Sequence, residues 1–318
     1  MPSLIEINNL CKYFKVPAGM LHAVDHVSFT IEKGKTLGVV GESGCGKSTL
    51  GRTIIHLLEA TDGHILLNGE DITHVNGNKL KEVRKKVQIV FQDPYSSLNP
   101  RLRIDDTIRE PLWNTHSYSR RELKERASNL MDLVGIDMRL RQSYPHELDG
   151  GRRQRVGIAR ALALNPEFIV CDEPVSSLDV SIQAQVLNLL MDLQEQMGIT
   201  YMFVTHDLSV VRHISNDICV MYLGEVVEMC PSKELFSNSL HPYTKALLSA
   251  IPSLDIDQPM QPIPLKGELT SPINPKPGCR FFPRCPYAKG GCSDTPQVLE
   301  EVSSKHFVAC RRVHEINS

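Results

Sequence analysis

Residues 41–49 (GESGCGKST) have the residue types and the spacing that can hold a polyphosphate. They fit the pattern G-x-x-x-x-G-K-[ST] at every fixed position. Glycines let the backbone curl so that its N–H groups point inward at phosphate oxygens, and the N-terminus of a following helix adds positive dipole. Lys47 offers a charge for the β- and γ-phosphates, and the Ser48 hydroxyl can bind Mg²⁺. The sequence therefore predicts a phosphate-binding loop (P-loop) for a nucleoside triphosphate.

Elements on both sides have to position this loop. Residues 35–40 (KTLGVV) predict a short buried strand, and residues 50–58 predict a helix because apolar side chains recur near helical spacing. A strand before and a helix after are the context that the pattern requires. The loop residues predicted to contact the nucleotide are Gly41, Ser43, Gly44, Cys45, Gly46, Lys47, Ser48 and Thr49.

Two carboxylates, Asp172 and Glu173, end a second apolar run that begins at residue 168. Gln92 and His206 also stand at the ends of predicted strands. Ligands of parallel sheets bind beyond the carboxyl ends of the strands, so the P-loop, the two carboxylates and His206 are expected to converge on one edge. Phosphoryl transfer needs charge neutralisation and water positioning, and Glu173 is well placed for the second task. The alternative is that Glu173 is only an acid at a helix start.

Hydrophobic periodicity predicts the other elements. They are strands at 4–10, 24–31, 63–68, 87–91, 200–204, 218–223 and 225–228, and helices at 120–134, 153–164 and 181–197, the last capped by Ser181. The alternation of strands and helices predicts an α/β fold with a mainly parallel sheet. After about residue 253, crowded prolines predict an extended, loop-rich extension that forms neither helix nor sheet well.

Composition bounds the class of protein. The chain has 318 residues, 41% hydrophobic and 23% charged, which suffices for one large core and a smaller appendage. A net charge of −2 gives no general attraction to nucleic acid. The sequence has no apolar run long enough to span a bilayer, and we expect neither a membrane-spanning helix nor a signal peptide.

Four of the nine cysteines lie near the C-terminus, at Cys279, Cys285, Cys292 and Cys310, with five, six and seventeen residues between them. Structural zinc usually uses closer pairs, and disulfides are not expected in a cytosolic protein. Four thiolates on an extended loop suit an iron–sulfur cluster, with zinc second and free thiols third. A structural staple is favoured over redox regulation, because a tail with few apolar residues needs metal to order it. The other five cysteines are expected to be ordinary reduced residues.

The order of these motifs resembles the ATPase subunit of ABC transporters over about residues 4–250. The ordered set is the P-loop, Gln92, Gly150-Gly151, Asp172-Glu173, Ser177-Leu178-Asp179 and Thr205-His206-Asp207. Residues 91–100 (FQDPYSSLNP), 175–181 (VSSLDVS) and 241–244 (HPYT) further resemble oligopeptide and dipeptide importers, in particular their second, F-type ATPase subunit.

The resemblance implies roles for the matching residues. Lys47 and Ser48 would serve the phosphates and Mg²⁺, and Asp172 would order the Mg²⁺ shell. Glu173 would polarise the attacking water. His206 would sense the γ-phosphate, and Gln92 would link the metal, the water and the membrane subunits. Asp179 would be the aspartate of the D-loop. Phe14 would stack on adenine, with Tyr13 as the runner-up.

One motif departs from the family pattern. The family's signature usually reads L-S-G-G-Q, and here it is Leu148-Asp149-Gly150-Gly151-Arg152. In this family the signature of one subunit closes over the γ-phosphate held by the other. Asp149 would bring negative charge toward a polyphosphate in a dehydrated site, so the site that this signature completes is expected to be weakened. The alternative is a tolerated change, with Asp149 turned toward Arg152 or solvent.

The resemblance also implies an architecture and an assembly. It implies a P-loop NTPase domain at residues 1–253, which contains an N-terminal antiparallel β subdomain and a helical subdomain at about 93–150. It also implies an extension at 254–318, of the kind that in some relatives holds a [4Fe–4S] cluster. ATP and Mg²⁺ would bind the first part. The partners would be a similar ATPase in a heterodimer, two transmembrane permease subunits and, indirectly, an extracytoplasmic peptide-binding protein, but no nucleic acid. The chain would lie at the cytoplasmic face of the membrane.

The motifs leave three rival functions. Related importers carry nickel or other small solutes. Soluble DNA-repair or chromosome ATPases insert long coiled coils between P-loop and signature, whereas only about a hundred residues without sustained heptads lie there in this chain. ABC translation factors typically have two cassettes, and this chain has one.

Overall fold

The computed structural model describes residues 2–115, 118–251, 262–265, 267 and 271–318. They form two compact units, the first comprising Met1–His74 and Thr205–Ser318 and the second Val75–Val204. In the part of the chain that is described, no helix is long and apolar enough to cross a membrane. The predicted domain boundary at 253/254 falls outside the described residues and stays a prediction.

The secondary structure alternates strands and helices as the sequence predicts. The strands are β1 (Ser3–Val16), β2 (Gly19–Glu32), β3 (Thr36–Val40), β4 (Asp62–Leu67), β5 (Glu70–Asp71), β6 (Val87–Val90), β7 (Phe168–Asp172), β8 (Thr200–Val204), β9 (Asp217–Tyr222), β10 (Glu225–Pro231), β11 (Glu300–Ser303) and β12 (His306–Val308). The helices are α1 (Lys47–Ile54), α2 (Gly77–Lys86), α3 (Pro94–Ser97), α4 (Ile104–Trp113), α5 (Arg120–Leu133), α6 (Gly150–Leu162), α7 (Val180–Met197), α8 (Leu208–Ile214), α9 (Ser232–Ser237), α10 (Pro242–Ser249) and α11 (Val313–Ile316). Short 3₁₀ helices lie at Met138–Gln142, Pro145–Glu147 and Phe282–Arg284.

The first unit contains an antiparallel sheet in the order β2-β1-β4-β5. Ile5 of β1 faces Ile31 of β2 and Leu67 of β4, and all three side chains are buried. Asn68 and Gly69 join β4 to β5 with φ angles of 52° and 77°, the left-handed conformation that suits a two-residue hairpin turn. The predicted N-terminal antiparallel β subdomain is therefore confirmed.

The first unit also contains strands in the order β11-β12-β10-β9-β3. Strand β3 is fully buried and runs parallel to β9, whereas β10, β12 and β11 follow in antiparallel pairs. The β11–β12 hairpin corrects the prediction that the extension lacks regular structure. Crowded prolines end before this part of the chain, and the hairpin uses the edge of β10 instead of a core of its own, with Met229 opposite Phe307.

The second unit contains a parallel sheet formed by β6, β7 and β8. Its strands are short and almost wholly apolar, as expected for strands buried on both faces. Helices α3 to α6 lie between β6 and β7 in the chain. The side chains of Leu112, Leu123 and Ala163 pack together in a small core among these helices.

The predicted helix at 50–58 ends four residues early. Helix α1 stops at Ile54, and the N–H groups of Leu57 and Leu58 both donate to the Arg52 carbonyl, at 2.9 and 3.1 Å, in a turn. Leu57 is 48% exposed. Leu57 and Leu58 lie in this turn at positions that fit helical spacing, so the apolar pattern alone predicted a longer helix.

The predicted cap of the helix at 181–197 is also corrected. The Asp179 carboxylate caps α7, since it accepts from the Ile182 N–H at 3.1 Å. The Ser181 hydroxyl donates to the same carboxylate at 2.8 Å from inside the first turn. An Asp two residues upstream competes well for the N-cap position, because both residue types favour it.

Candidate nucleotide-binding and hydrolysis site

The P-loop joins β3 to α1 in the first unit, in the context that its sequence predicts. Lys47 is 4% exposed, and its ammonium donates to the carbonyls of Gly41 at 2.8 Å and Glu42 at 3.0 Å. The loop is thus curled around the lysine head. A cation held in this way can be offered to phosphate oxygens at little further cost in side-chain ordering.

Gly44 and Gly46 of the loop are required for different reasons. Gly46 has φ 105°, and a Cβ there would lie 2.0 Å from the Ala23 carbonyl oxygen, so no other residue fits. Gly44 has φ 78° and open space around its Cα. Ser43 and Gly44 are exposed, whereas Cys45 is buried and burial raises the pKa of its thiol. The open side of the loop is therefore formed by backbone around residues 43 and 44.

Helix α1 begins directly at this loop. Its N-cap is Gly46 in the left-handed conformation, and its first turn has no side-chain cap. The first N–H groups of a helix have no partners within the helix, and the helix dipole is positive at this end. Together with the curled loop, this end of α1 suits an anion such as a triphosphate.

His206 lies in the first unit, close to the end of β3. The N–H of its neighbour Thr205 donates to the Val39 carbonyl at 3.1 Å, which ties this segment to the strand leading into the P-loop. The His206 side chain is exposed, and Asp207 caps α8 by accepting from the Ser209 N–H at 2.8 Å. The imidazole is therefore presented near the carboxyl end of β3.

The two candidate aromatics have different surroundings. The Tyr13 ring stacks on His22 with centroids 4.0 Å apart, and its hydroxyl donates to Asp25. Burial and this hydrogen bond raise the pKa of the Tyr13 phenol. The Phe14 ring is partly exposed, with the Lys12 ammonium 4.9 Å from its centroid. His22 thus covers one face of the Tyr13 ring and Lys12 lies over the Phe14 ring, so the choice of Phe14 as the adenine-stacking ring stays a prediction.

The hydrolytic residues predicted from sequence lie in the second unit. Asp172 ends β7 and is 1% exposed. Glu173 follows with φ 48°, a conformation that costs a non-glycine residue about 1–3 kcal/mol and often marks a functional position. Its N–H donates to the Val204 carbonyl at 2.9 Å, and Gln92 Nε2 donates to its carboxylate at 2.9 Å. The structure therefore brings Gln92 and Glu173 together.

The signature residues begin α6 in the second unit. The Asp149 carboxylate caps this helix by accepting from the Arg152 N–H at 2.8 Å, and it also lies 3.2 Å from the Arg152 guanidinium. Both side chains are more than half exposed. A Cβ on Gly151 would lie 2.5 Å from Ile182 at the start of α7, so glycine is required here. The D-loop residue Asp179 caps the same helix α7, so signature and D-loop are packed together.

The predicted site residues are thus divided between the units. Lys47, His206 and the aromatics belong to the first, and Gln92, Asp172, Glu173 and the signature belong to the second. The convergence of all of them on one edge stays a prediction. Two charged residues that the sequence analysis missed, Glu42 and Asp25, hold arginines of the extension, and no local pattern pointed to partners so far along the chain.

The four C-terminal cysteines lie in one loop cluster of the first unit. The Cys279 N–H donates to the Cys292 carbonyl at 2.7 Å. Burial raises the pKa of Cys279 to about 12, and the charges of Cys285 and Cys310 act in the same direction. Burial also raises the pKa of Cys285 and of Cys310. A bound cation favours the thiolate form, so a metal would offset the effect of burial on Cys279, Cys285 and Cys310.

The four sulfurs are not drawn together into a tight cluster. Among the described residues, no three of them lie within 4.8 Å of one another. Ligand atoms do approach this closely at Cys11, Asp25 and His26, but Arg280 already pairs with that carboxylate.

Comparison with known proteins gives two family matches and full-length relatives. Residues 24–176 match the ABC transporter family, and residues 227–292 match the C-terminal region of oligopeptide/dipeptide transporters. The oligopeptide transport ATP-binding protein AppF of Bacillus subtilis is 51% identical over 319 residues, which cover 97% of each chain. The dipeptide transport ATP-binding protein DppF of Haemophilus influenzae is 47% identical over 96% of each chain.

Solved structures agree with this assignment. The ATP-binding cassette MJ0796, solved as a dimer in a post-hydrolysis state bound to ADP and Pi, superimposes with a TM-score of 0.67 at 30% identity. The match covers 72% of this chain and 99% of that one. The motifs, the fold and the full-length relatives lead to one conclusion: the chain belongs to the family of ABC transporter ATP-binding proteins of the oligopeptide and dipeptide type.

Proposed function

We propose that this chain is the ATP-hydrolysing subunit that drives import of oligopeptides or dipeptides through an ABC transporter. The observation that carries the proposal is the full-length similarity to AppF, which includes the C-terminal region as well as the cassette. Full-length relatives that are transport proteins favour this function over DNA repair. They also favour peptides over nickel or another small solute.

Substrate binding begins at the P-loop. The substrate is MgATP, and the Lys47 ammonium, oriented by the Gly41 and Glu42 carbonyls, donates to the β- and γ-phosphates. The Ser48 hydroxyl and the Asp172 carboxylate are hard oxygen ligands, which suit Mg²⁺. Phe14 stacks on the adenine ring. These contacts bind and orient the nucleotide before any bond breaks.

Hydrolysis then requires a positioned water. Glu173 accepts a hydrogen bond from the water, and Gln92 holds the carboxylate in place through its bond of 2.9 Å. The water oxygen forms a bond to the γ-phosphorus while the bond between that phosphorus and the bridging oxygen breaks, leaving ADP and phosphate. His206 donates to the γ-phosphate and stabilises the charge that develops there.

Two ATPase subunits complete the reaction. In the proposed heterodimer, the signature of each subunit closes over the nucleotide in the P-loop of its partner. The Asp149 carboxylate caps α6 and pairs with Arg152 in this chain, but it would still bring negative charge toward the phosphate at the partner's site and weaken that site. The site built on Lys47 and Glu173 uses the partner's signature. The dimer lies at the cytoplasmic face of the membrane, under two permease subunits that receive peptide from a binding protein outside.

The four-cysteine loop is proposed to hold a [4Fe–4S] cluster, with zinc as the second choice. Four thiol ligands on an extended loop are a donor set that suits such a cluster. Cys279, Cys285, Cys292 and Cys310 would be its ligands, and when bound it supplies iron–thiolate bonds that cross-link the loop. The role proposed for it is to order the extension.

Peptide uptake into proteoliposomes tests the proposal. The complex purified with its native permeases should hydrolyse ATP and accumulate labelled di- or oligopeptide when the binding protein is supplied. A complex with Glu173→Gln is the matched control and should do neither. Accumulation of nickel without peptide would reassign the substrate, and a chain that copurifies with no permease would refute the transport function.

A further inference from the structure

An arginine of the extension forms an ion pair with the P-loop. The Arg284 guanidinium donates to both carboxylate oxygens of Glu42, at 2.6 and 3.1 Å. The arginine side chain is 9% exposed and the glutamate side chain 27% exposed. Two parallel bonds of this kind fix orientation as well as distance, and burial strengthens them relative to a surface pair.

Glu42 is a backbone support of the nucleotide lysine. Its carbonyl accepts from Lys47 at 3.0 Å, and its N–H donates to the Tyr243 hydroxyl at 2.9 Å. The same residue therefore holds Lys47 with its carbonyl, α10 with its N–H and the extension with its side chain. A shift of Glu42 would move the carbonyl that shapes the loop around Lys47.

Three buried rings fix the position of Arg284. The ring centroids of Tyr222, Tyr243 and Phe281 lie 4.7 to 5.4 Å from one another. Arg284 itself lies 6.0 Å from the Tyr222 centroid. Phe281 is only three residues before the arginine and is 1% exposed. The position of the guanidinium next to the P-loop is therefore fixed by this packed core.

A second arginine of the extension supports the other side of the loop. Arg280 donates to the Leu223 carbonyl and to Asp25, and its Nε lies 3.1 Å from Glu225. The turn after β9 that it holds is bonded to the P-loop, since the Gly224 N–H donates to the Cys45 carbonyl at 2.8 Å. The extension thus braces the loop at two separate points.

We infer that Arg284 is a positioning residue for the nucleotide, through which the C-terminal extension sets the affinity for ATP. The inference rests on the proposed function, because it assumes that ATP binds at Lys47. Arg284 acts through Glu42 and does not touch the phosphates. Its two effects are to hold the Glu42 carbonyl where Lys47 needs it and to neutralise a carboxylate beside a site that must accept a polyanion.

The charge effect gives the inference a direction. With Arg284 removed, the Glu42 carboxylate stands uncompensated near the triphosphate and repels it. With Glu42 neutralised instead, a cation remains near the triphosphate and attracts it. A pair that only positioned the Glu42 carbonyl would lose ATP affinity on removal of either partner. The added charge effect predicts a loss when Arg284 is removed and a gain when the Glu42 charge is removed.

The experiment measures KM for ATP and kcat of the purified transporter complex. Arg284→Ala should raise KM by about tenfold with kcat nearly unchanged, which is the usual cost of losing a charge-assisted contact. Arg284→Lys keeps the charge but not the paired bonds, and should raise KM less. Glu42→Gln should lower KM, and Arg284→Ala combined with Glu42→Gln should recover most of the loss.

Two controls separate the possible failures. Lys289→Ala removes another cation of the extension, one that pairs with exposed Glu315, and should leave KM unchanged. Wild-type KM in Arg284→Ala, or a double variant no better than Arg284→Ala, would overturn the inference. If Arg284→Ala fails to fold, Glu42→Gln decides, since a raised KM there would also overturn it. Wild-type complex without ATPase activity would instead refute the proposed function.

Discussion

Gln92 Nε2 donates a hydrogen bond of 2.9 Å to the carboxylate of Glu173, although the two residues are 81 positions apart. Each follows the carboxyl end of one of two neighbouring parallel strands, β6 and β7. The bond ties a carboxylate on a left-handed backbone to the residue that the family resemblance links to the membrane subunits. Replacing Gln92 would therefore remove a hydrogen bond from Glu173, the residue proposed to orient water.

Replacing Glu173 with Gln tests this arrangement. The amide keeps the shape of the side chain but lacks the charge that orients water, so ATP binding should persist while hydrolysis slows by about two orders of magnitude or more. The ATP-bound ATPase dimer should accumulate as a consequence. Hydrolysis rates and size-exclusion chromatography with ATP are the measurements. Wild-type turnover in this variant would move water positioning to His206 or another residue.

Local sequence was sufficient for the P-loop, because strand, glycine turn and helix all lie within residues 35–58. It was also sufficient for the carboxylates at the end of β7. It did not predict where α1 ends, since Leu57 and Leu58 continue the apolar spacing into a turn. Periodicity reports which side chains are apolar, but the hydrogen bonds to the Arg52 carbonyl determine where the helix stops.

Contacts between distant segments could not be read from sequence. Arg284 and Glu42 are 242 positions apart, and the pair depends on three aromatic rings from β9, α10 and the extension packing together. The hairpin in the extension depends in the same way on the free edge of β10. The extension lacks a core of its own and is ordered by packing against other elements of the fold, such as β9, β10 and α10.

Lys47→Ala should abolish nucleotide-dependent activity, because it removes the phosphate counter-charge. It also removes the bonds at 2.8 and 3.0 Å that curl the loop. ATP binding and hydrolysis by the complex are the measurements, with Lys289→Ala as the matched control for loss of a cation. Substantial retained hydrolysis would refute the assignment of this loop to catalysis.

Asp149→Ser should raise activity at the site that this signature is proposed to complete. Serine also caps helices well, so the start of α6 should be preserved while the negative charge is lost. In the structure Arg152 lies 3.2 Å from the carboxylate, but both groups are largely exposed, so the compensation is weak. Site-specific vanadate trapping should show unequal trapping in the wild-type heterodimer and a smaller difference in the variant.

Equal trapping at both sites of the wild-type complex would contradict the asymmetric arrangement. Asp149→Asn provides the second test, since it removes the charge but keeps the shape of the side chain. If Asn and Ser behave alike, the charge is responsible. An effect seen only with Ser would point to the hydroxyl.

Stability should fall in mild acid because of His241. This side chain caps α10 by accepting from the Tyr243 N–H at 3.1 Å, and burial lowers its pKa from 6.5 to about 4. Between pH 6.5 and pH 4 the unfolded chain binds a proton at this imidazole and the folded chain does not. The free energy of unfolding therefore falls as the pH falls through this range. The free energy of unfolding at pH 5 should be lower than at pH 7 by up to about 2 kcal/mol from this residue.

Urea unfolding of wild type and His241→Asn at both pH values measures this effect. Asparagine keeps a capping oxygen but does not titrate, so the variant should show a smaller pH dependence. The neighbouring Glu228 and His306 pair at 2.8 Å is retained in both proteins and cancels in the comparison. The same loss in both proteins would assign the pH dependence to other groups.

Cys285→Ser should bleach the protein and expose the extension to proteolysis. A [4Fe–4S] cluster would make the anaerobically purified wild type brown, and removal of one of four thiolates should release it. Ordering the extension costs about 1–2 kcal/mol per residue in backbone entropy. Metal–thiolate bonds offset that cost where apolar burial is limited. Cys230→Ala, at a buried cysteine outside the four, is the control and should keep the colour.

Nucleotide binding by Cys285→Ser separates the cluster from the P-loop. Lys47 and the glycine backbone remain in place, and the rings of Tyr222, Tyr243 and Phe281 still fix Arg284, so ATP should bind about as well as to the wild type. Iron, acid-labile sulfide and zinc analysis of the anaerobic wild type identifies the metal. Stoichiometric zinc without sulfide would replace the cluster by a zinc site. Absence of both metals would refute a metal site and leave free thiols, of which Cys279 and Cys285 pack against the core around Phe281.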